Sequence, residues 1–399
     1  MKEAESSGAW KIIAAIGTIL AALFLIPSPR FDWFNVFAAA AALYLASRIG
    51  RAWSIPAAGL GRRIGSGAAR SLVTLTLILG SGEFLLRTVS LHRSLIYESH
   101  GNLLFTPAAN QDFVEKISLS QSHTDRYGLR SGVSPVGRKV ILCLGDSITY
   151  GYGVADQDTY PTRLQLLLDR NDPGHYAVLN AGVDAYPLWM ILEKFLYTWE
   201  QGIRPDLVIV GYSMNEGWPT QLQTADSATK AKFEERVRWK NYVRRLALYN
   251  LIVENWARNY YDRVKERMIP GTHSMSLDRK DIERSYQRQL DQLTTDLRSR
   301  QIPVVFVLFC SFDGHTHDYD AEGPFQKLFA EFAETHNIPL FSSESALRDG
   351  LGPKADLKQY FIDACHMNPK GTNKFGRQLA LFLERQRLLD QRNVTTASR

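Results

Sequence analysis

The sequence has few cysteines and no large excess of either charge. Its 399 residues include three cysteines, which cannot all pair with one another, and no cysteine or histidine spacing typical of a metal site. It also lacks the composition of a disordered or collagen-like chain, since 45% of its residues are hydrophobic and 22% are charged. These absences exclude a disulfide scaffold and indicate a globular chain of one or two domains, in which we expect Cys143, Cys310 and Cys365 to be buried free thiols.

The net charge of +6 is concentrated near the amino terminus. Residues 1–90 contain nine basic and four acidic residues, so the rest of the chain is almost neutral. A basic chain can indicate nucleic-acid binding, but here the arginines lie between apolar segments. We therefore interpret the charge as a signal of membrane topology and expect no nucleic-acid partner.

Residues 1–91 are predicted to form a membrane module. Apolar stretches predict transmembrane helices at about residues 10–26, 33–49 and 71–91, of which the second is short and rich in alanine. Five arginines and no acidic residue lie between residues 48 and 70, so this loop is expected in the cytoplasm and the chain after residue 91 outside it. Acidic residues near the amino terminus and the lack of a cleavage site favour an uncleaved anchor over a signal peptide. Within the third segment, Glu83 and Arg87 are spaced to pair on one helical face.

From residue 138 onwards, apolar runs alternate with helical stretches. The predicted strands are residues 139–145, 175–183, 205–216, 302–310 and 337–343, and the clearest helices are 159–170 and 187–202. Strands that are apolar throughout predict a parallel sheet covered on both faces. We therefore expect an α/β domain over residues 138–390, with its functional site at the carboxyl ends of the strands.

Three regions fall outside this pattern. Residues 92–137 are polar and are interpreted as a linker or a domain edge. Residues 217–300 form a helical insertion, and its basic amphipathic part could lie on an anionic membrane surface or pack on the domain with a solvated basic face. Residues 391–399 are expected to be a frayed tail.

Four short polar blocks follow the predicted strands. They are GDSITYGYG at 145–153 with Ser147, NAGVDAY at 180–186 with Gly182, YSMNE at 212–216 with Asn215, and IDACHMNPKG at 362–371 with Asp363 and His366. Taken singly, each block is weak evidence, because it also fits a turn, a loop glycine or a metal-binding pair. Asp and His three residues apart can, however, bring a carboxylate to the imidazole Nδ1 while Nε2 faces a serine.

In this order, the four blocks resemble the SGNH (GDSL-type) serine hydrolase superfamily over about residues 138–385. The resemblance implies a three-layer, flavodoxin-like α/β domain that needs no cofactor and no metal. It implies that Ser147 is the nucleophile, His366 the general base and Asp363 its orienting partner. Gly182 and Asn215 would donate to the oxyanion together with the N–H of Ser147. The anchored layout also resembles bacterial members, which implies a multi-pass cytoplasmic (inner) membrane protein with its catalytic domain on the periplasmic or extracellular side.

Some residues depart from the family pattern or leave alternatives open. Glu216 stands where the family usually has aspartate, and Cys365 where glycine is common. The run DGHTHDYD at 313–320 is either a divalent-metal site or a polar rim loop. Three aromatic side chains near the blocks could contact a sugar or an acyl chain, or pack in the core: Tyr150, Tyr186 and Trp218.

The chemistry predicted from these residues is acyl transfer through a serine. With water as the acceptor, the protein is a serine esterase that hydrolyses O-acetyl or other short-chain esters. The alternatives are an O-acyltransferase acting on an envelope polysaccharide and a membrane-anchored, non-catalytic glycan-binding scaffold. The expected partner is an acyl ester carried by an envelope polysaccharide, a lipid or a small molecule.

Overall fold

The computed structural model describes residues 79, 80, 83, 86, 87, 94–115, 117–212, 223, 225–252, 279–352 and 355–389. The chain divides into two compact units, Met1–Ser94 with Arg238–Pro270, and Leu95–Val237 with Gly271–Arg399. The predicted membrane segments at 10–26 and 33–49, most of the segment at 71–91, and the tail at 391–399 lie outside the described residues. Of the helices that the structure describes, none is long and apolar enough to span a membrane.

Strands and helices alternate along most of the described chain. The strands are β1 (Tyr97–His100), β2 (Leu103–Pro107), β3 (Asp112–Val114), β4 (Gln121–His123), β5 (Lys139–Leu144), β6 (Tyr176–Asn180), β7 (Leu207–Tyr212), β8 (Val304–Leu308), β9 (Ser311–Asp313), β10 (Asp318–Asp320) and β11 (Leu340–Ser342). The helices are α1 (Ser147–Tyr150), α2 (Tyr160–Asn171), α3 (Leu188–Glu200), α4 (Ser227–Arg244), α5 (Ala247–Tyr249), α6 (Arg279–Ser299), α7 (Pro324–Thr335), α8 (Ser343–Arg348) and α9 (Pro369–Arg385).

Five strands of the larger unit form one parallel sheet in the order β6-β5-β7-β8-β11. This is the flavodoxin-like order, and it confirms the predicted α/β fold with a parallel sheet. In β5, Val140 and Leu142 enter the core on one side of the sheet, whereas Ile141 and Cys143 enter the core on the other. Because both faces are buried, the strand reads as a continuous apolar run.

Helices cover both faces of the sheet and make a three-layer domain. Apolar residues of α3, α6 and α7 belong to the core on one side, and those of α2, α8 and α9 to the core on the other. Phe306 of β8 stacks on Phe329 of α7, with ring centroids 4.4 Å apart. On the opposite face, Tyr160 of α2 meets Phe375 of α9 edge to face at 5.0 Å. The strands β6, β5 and β7 are parallel neighbours in the sheet, so their carboxyl ends lie at the same edge.

The segment at 92–137, predicted as a linker or an edge, belongs to the folded domain from Leu95 onwards. It forms two antiparallel hairpins, β1–β2 and β3–β4. Leu103, Leu104 and Leu129 are almost completely buried in the main core. This segment is therefore a packed edge of the domain rather than a tether.

In the smaller unit, Glu83 caps the backbone of the helical insertion. Its two carboxylate oxygens each accept a hydrogen bond of 2.8 Å, from the N–H groups of Ala247 and Leu248. Arg87 donates to the same carboxylate at 2.7 Å, which is the pairing predicted from their spacing. Glu83 is fully buried, so these bonds satisfy a charge that would otherwise be costly to desolvate.

Candidate active site

Ser147 lies in a tight turn between β5 and α1. The side chain of Asp146 caps α1 by accepting a hydrogen bond of 3.0 Å from the N–H of Ile148. Gly145 leaves no room for a side chain, because a Cβ there would lie 2.1 Å from Thr149 Oγ1 and 2.7 Å from the carbonyl oxygen of Gly211. The serine is thus fixed at the first residue of α1, directly after the carboxyl end of β5.

Asp363 and His366 lie in a turn whose ends are bridged by Phe361 and Met367. One oxygen of the Asp363 carboxylate accepts the N–H groups of Cys365 at 2.9 Å and His366 at 2.8 Å. These bonds hold the carboxylate in place and leave its second oxygen free for the imidazole. Asp363 therefore shapes the turn that presents His366.

The turn brings His366 between Asp363 and Ser147. His366 Nδ1 lies 2.7 Å from Asp363 Oδ2, and His366 Nε2 lies 2.8 Å from Ser147 Oγ. An ionised carboxylate can only accept, so Nδ1 carries a proton, and in the neutral imidazole Nε2 accepts a hydrogen bond from the serine hydroxyl. This is the arrangement in which an imidazole can remove a serine proton.

The electrostatics of the pair make His366 a stronger base than a free imidazole. Burial alone would raise the pKa of the Asp363 carboxyl and lower the pKa of His366. The hydrogen bond and the attraction between the two groups outweigh burial, so the pKa of Asp363 falls and the pKa of His366 rises, with a further contribution from Cys365 to the rise. The same attraction stabilises the protonated form of His366.

The hairpin β9–β10 supports the turn at 361–367 from the side. The N–H of Phe312 donates to the carbonyl oxygen of Ala364 at 2.7 Å, and the Tyr319 hydroxyl donates to that of Asp363 at 2.6 Å. The ring of Tyr319 stacks on Phe361, with centroids 3.9 Å apart. Sequence reasoning missed these contacts, which make Tyr319 a positioning residue.

This hairpin also contains the histidines and aspartates that were considered as a metal site. The carboxylate of Asp313 accepts N–H groups within its own turn, and Asp318 pairs with Arg348 at 2.6 Å. In the part of the chain that the structure describes, the ligand atoms of this run do not gather into a metal-binding group. The run forms a structured polar loop beside the site.

Of the two predicted oxyanion donors Gly182 and Asn215, the structure describes Gly182. A Cβ on Gly182 would lie 2.3 Å from the backbone nitrogen of Tyr150, so glycine is needed for the close approach of this loop to α1. The N–H of Gly182 donates to Asn180 Oδ1 at 3.1 Å, and an oxyanion would have to compete with that bond. Asn215 lies outside the described residues. The oxyanion roles of Gly182 and Asn215 stay predictions.

The structure corrects the predicted substrate contacts of two tyrosines. Tyr150 and Tyr186 are 5% and 0% exposed, and the Tyr186 hydroxyl donates to the carbonyl oxygen of Phe105. Both rings are packed in the interior and offer no surface to a ligand. The aromatic ring at the site belongs instead to Tyr152, whose centroid lies 4.6 Å from that of His366. Trp218 lies outside the described residues.

Cys365 also differs from expectation. Cys143 and Cys310 are buried as predicted, but Cys365 is partly exposed because it lies in the turn between Asp363 and His366. Its Sγ lies 3.6 Å from His366 Nδ1. The thiol therefore borders the candidate triad directly.

Arg130 holds the loop after α1, a role that no motif in the sequence indicated. The buried guanidinium donates to the carbonyl oxygens of Tyr150, Gly151 and Val154 at 3.1, 2.7 and 2.7 Å. It also donates to Asp156 at 2.6 Å and to Ser122 at 2.9 Å. Arg130 thus ties the edge hairpins to the loop that carries Tyr152.

We expect Arg130→Ala to destabilise the domain by about 3–5 kcal/mol, because it removes the buried guanidinium from all five of its hydrogen-bond partners and leaves Asp156 with His123 as its remaining partner. Urea unfolding followed by circular dichroism measures the change. Arg126→Ala is the matched control, since Arg126 is exposed four residues earlier. Equal stability of the two variants would contradict the role assigned to Arg130.

Comparison with known proteins is consistent with this geometry. The sequence profile of the GDSL-like lipase/acylhydrolase family matches residues 143–374, which contain Ser147, Asp363 and His366. A comparison with curated proteins found no match.

Solved structures of similar proteins are distant from this chain. A lipolytic protein of the G-D-S-L family from Desulfitobacterium hafniense is 13% identical with a TM-score of 0.38, covering 62% of this chain and 100% of its own. An acetyl xylan esterase is 15% identical with a TM-score of 0.39, covering 62% and 98%. A psychrotrophic esterase from Pseudoalteromonas is 13% identical with a TM-score of 0.37, covering 62% and 98%.

The profile match spans more than half of the chain and includes the turn that carries Ser147, four of the five strands of the parallel sheet and the turn that carries His366. The chain therefore belongs to the GDSL-like lipase/acylhydrolase family and is an ester-hydrolysing enzyme.

Proposed function

We propose that this protein is a serine esterase that hydrolyses short-chain acyl esters through Ser147, His366 and Asp363. The observation that carries the proposal is the unbroken hydrogen-bond path from Ser147 Oγ through His366 to Asp363, with distances of 2.8 and 2.7 Å. Each residue type suits its place, since only a base beside the hydroxyl makes serine a good nucleophile near neutral pH.

In the first step, Nε2 of His366 removes the proton of Ser147 as Oγ attacks the ester carbonyl carbon. The carbonyl electron pair moves onto oxygen, and Asp363 stabilises the imidazolium. The N–H of Ser147, with Gly182 and Asn215, is proposed to hold the oxyanion, and one such donor is typically worth about 10²–10³ in rate.

In the second step, the imidazolium protonates the leaving alkoxide and an acyl-enzyme remains on Ser147. A water molecule, deprotonated by His366, then attacks the acyl carbon and releases the acid. His366 and Asp363 are both partly exposed, which allows water to reach the base.

The proposal is tested by giving the purified full chain nitrophenyl acetate with and without an added saccharide. Release of free acetate at the same rate in both cases is the expected result. Acetate transferred mainly to the saccharide would instead identify an O-acyltransferase. No consumption of the ester above the buffer rate would contradict both functions.

Two exposed apolar side chains beside Gly153 form a surface that could contact the acyl group of the ester. Ile362 is 37% exposed and Ile117 is 44% exposed. Both lie against Gly153, where a Cβ would be 2.6 Å from Ile362 Cδ1 and 3.5 Å from Ile117 Cδ1. Gly153 directly follows Tyr152, whose ring packs on His366. We propose that this apolar surface receives the hydrocarbon part of the ester.

We expect Ile362→Asn to reduce kcat/KM for nitrophenyl butyrate about threefold to tenfold more than for the acetate. A buried CH₂ group contributes about 0.8 kcal/mol, and butyrate has two more of these groups than acetate. Val136→Asn is the control, because Val136 is 73% exposed and precedes the amino end of β5, at the opposite edge of the sheet. Equal losses for the two esters would rule out contact between Ile362 and the acyl chain.

We further propose that residues 1–91 anchor the enzyme in a bacterial inner membrane with the catalytic domain on the periplasmic or extracellular side. The apolar segments and the arginines between residues 48 and 70 support this orientation. Alkaline phosphatase fused after residue 399 is expected to be active in cells, because it folds only outside the cytoplasm. Fluorescence of green fluorescent protein at the same position, with an inactive phosphatase fusion, would contradict the orientation.

A further inference from the structure

Exposed apolar side chains are concentrated between residues 239 and 252, in the smaller unit. Of the twelve large hydrophobic side chains that are exposed in the described part of the chain, four lie in these fourteen residues: Trp239, Tyr242, Leu251 and Ile252, at 66%, 43%, 37% and 50%. Leaving such side chains in water is costly, so their concentration in one segment marks a surface that meets a partner or a membrane.

The charges around these side chains favour an anionic partner. Residues 238–252 contain four basic residues and no acidic one, and Arg238 and Arg245 are exposed. On α4, Arg238, Trp239 and Tyr242 lie within about 100° of one another around the helix axis. The rings of Trp239 and Tyr242 are stacked, with centroids 5.7 Å apart. Tryptophan and tyrosine beside arginine are typical of the headgroup layer of a bilayer, where basic side chains meet lipid phosphates.

Hydrogen bonds fix this segment to the third predicted membrane helix, in which Glu83 and Arg87 are helical residues. Both carboxylate oxygens of Glu83 accept backbone N–H groups of α5 at 2.8 Å, and Arg87 donates to the carbonyl oxygen of Arg245 at 3.4 Å. Ser94, just beyond the predicted helix, donates to Asn250 Oδ1 at 2.9 Å. The chain from residue 245 to residue 250 therefore lies beside the carboxyl end of the predicted membrane helix.

We propose that the exposed apolar and basic side chains between residues 238 and 252 dock on the anionic surface of a lipid bilayer. This inference rests on the proposed membrane anchor, which holds the segment next to the bilayer. The docking surface consists of Arg238, Trp239, Tyr242, Arg245, Leu251 and Ile252.

The depth of α5 in the membrane supports this proposal. Arg87 lies at the level of the lipid headgroups, because long basic side chains near the ends of membrane helices extend towards water. Glu83 precedes it by one helical turn, which is about 6 Å along the axis. An interfacial helix buries its apolar face to a depth of about 5–10 Å. Since α5 is bound to Glu83, it is held at the boundary between the headgroups and the acyl chains.

A fluorescent label tests whether the docking surface enters the bilayer. The full chain is placed in nanodiscs of phosphatidylethanolamine and phosphatidylglycerol, with and without a lipid that carries a nitroxide near the top of its acyl chain. A polarity-sensitive dye is attached to Tyr242→Cys in a Cys365→Ala background, since Cys143 and Cys310 are buried. The control is the same dye on Lys240→Cys, because Lys240 is exposed and lies about 160° from Tyr242 around α4. We expect blue-shifted emission and nitroxide quenching at Tyr242→Cys but not at Lys240→Cys. Equal emission and quenching of the two labels would overturn the proposal.

The charge of the lipid tests the part played by the arginines. Arg238→Gln and Arg245→Gln should each lower the ratio of quenched to water-exposed dye about fivefold in the phosphatidylglycerol discs, since this is the contribution of one basic residue near an anionic surface. Neither change should have this effect in discs of phosphatidylcholine alone. Lys240→Gln, on the other side of α4, should leave the ratio unchanged. The same loss in both lipids would contradict docking on an anionic surface.

Extraction of membranes with alkaline carbonate separates this inference from the proposed anchor. A chain that resists extraction but shows no quenching at Tyr242→Cys keeps the anchor and overturns the docking surface. A chain that carbonate releases, but whose label is quenched when phosphatidylglycerol vesicles are added, refutes the anchor and supports the docking surface.

Discussion

Ser147→Ala is expected to lower kcat for nitrophenyl acetate by about 10⁴-fold or more, because the nucleophile and the acyl-enzyme it forms are both lost. The remaining rate would come from binding and from the oxyanion donors alone. Ser147 is 6% exposed, and its hydroxyl bonds to His366, so the change removes one hydrogen bond and little packing. The loss should therefore appear in kcat and not in the unfolding transition.

Ser299→Ala is the control for this experiment. Ser299 ends α6, and its hydroxyl donates to the carbonyl oxygen of Asp296 on an exposed surface. This variant should hydrolyse the ester at the native rate. Full activity in Ser147→Ala, measured on a folded protein, would show that another group attacks the ester.

Asp363→Asn should lower kcat by about 10⁴-fold and change its dependence on pH. The carboxylate raises the pKa of His366, and activity requires the neutral imidazole, so activity in the native protein rises as pH passes through that raised pKa. Asparagine removes the charge that, together with Cys365, raises the pKa of His366, while burial, which lowers this pKa, remains. The rising limb of the remaining activity should therefore shift to lower pH.

The sequence contains a matched control for this variant. Asp172 and His175 have the same spacing, with His175 Nδ1 3.5 Å from Asp172 Oδ2, but both are exposed. Asp172→Asn should leave both the rate and the pH profile unchanged. A pH profile of Asp363→Asn that overlays the native one would contradict the assigned coupling between Asp363 and His366.

The Asp172–His175 pair also shows how far the sequence could predict the site. Spacing alone does not distinguish it from Asp363–His366, because the difference lies in the serine that the fold brings to one of them. The four ordered blocks supplied that link through their resemblance to a family. The sheet was predictable for a simpler physical reason, since strands buried on both faces, such as β5, are apolar throughout.

Contacts between distant, irregular segments could not be predicted. Arg130 has five hydrogen-bond partners, but they are mostly backbone carbonyl oxygens, which leave no trace in the sequence. The strands β9 and β10 have three residues each, which is too short for an alternating pattern to predict a strand, so their support of Asp363 was not visible. Tyr150 and Tyr152 lie on either side of Gly151, whose φ of +89° changes the direction of the chain between them. That turn places one ring in the interior and the other on His366.

The central claim is that Ser147 is the nucleophile activated by His366. Labelling the full chain with a fluorophosphonate, followed by peptide mass spectrometry, tests it most directly, because this reagent phosphonylates only serines that a base has activated. We predict one adduct, on Ser147, which is absent in His366→Ala. No adduct on Ser147 in the folded native protein, or an adduct on a different serine, would contradict the account.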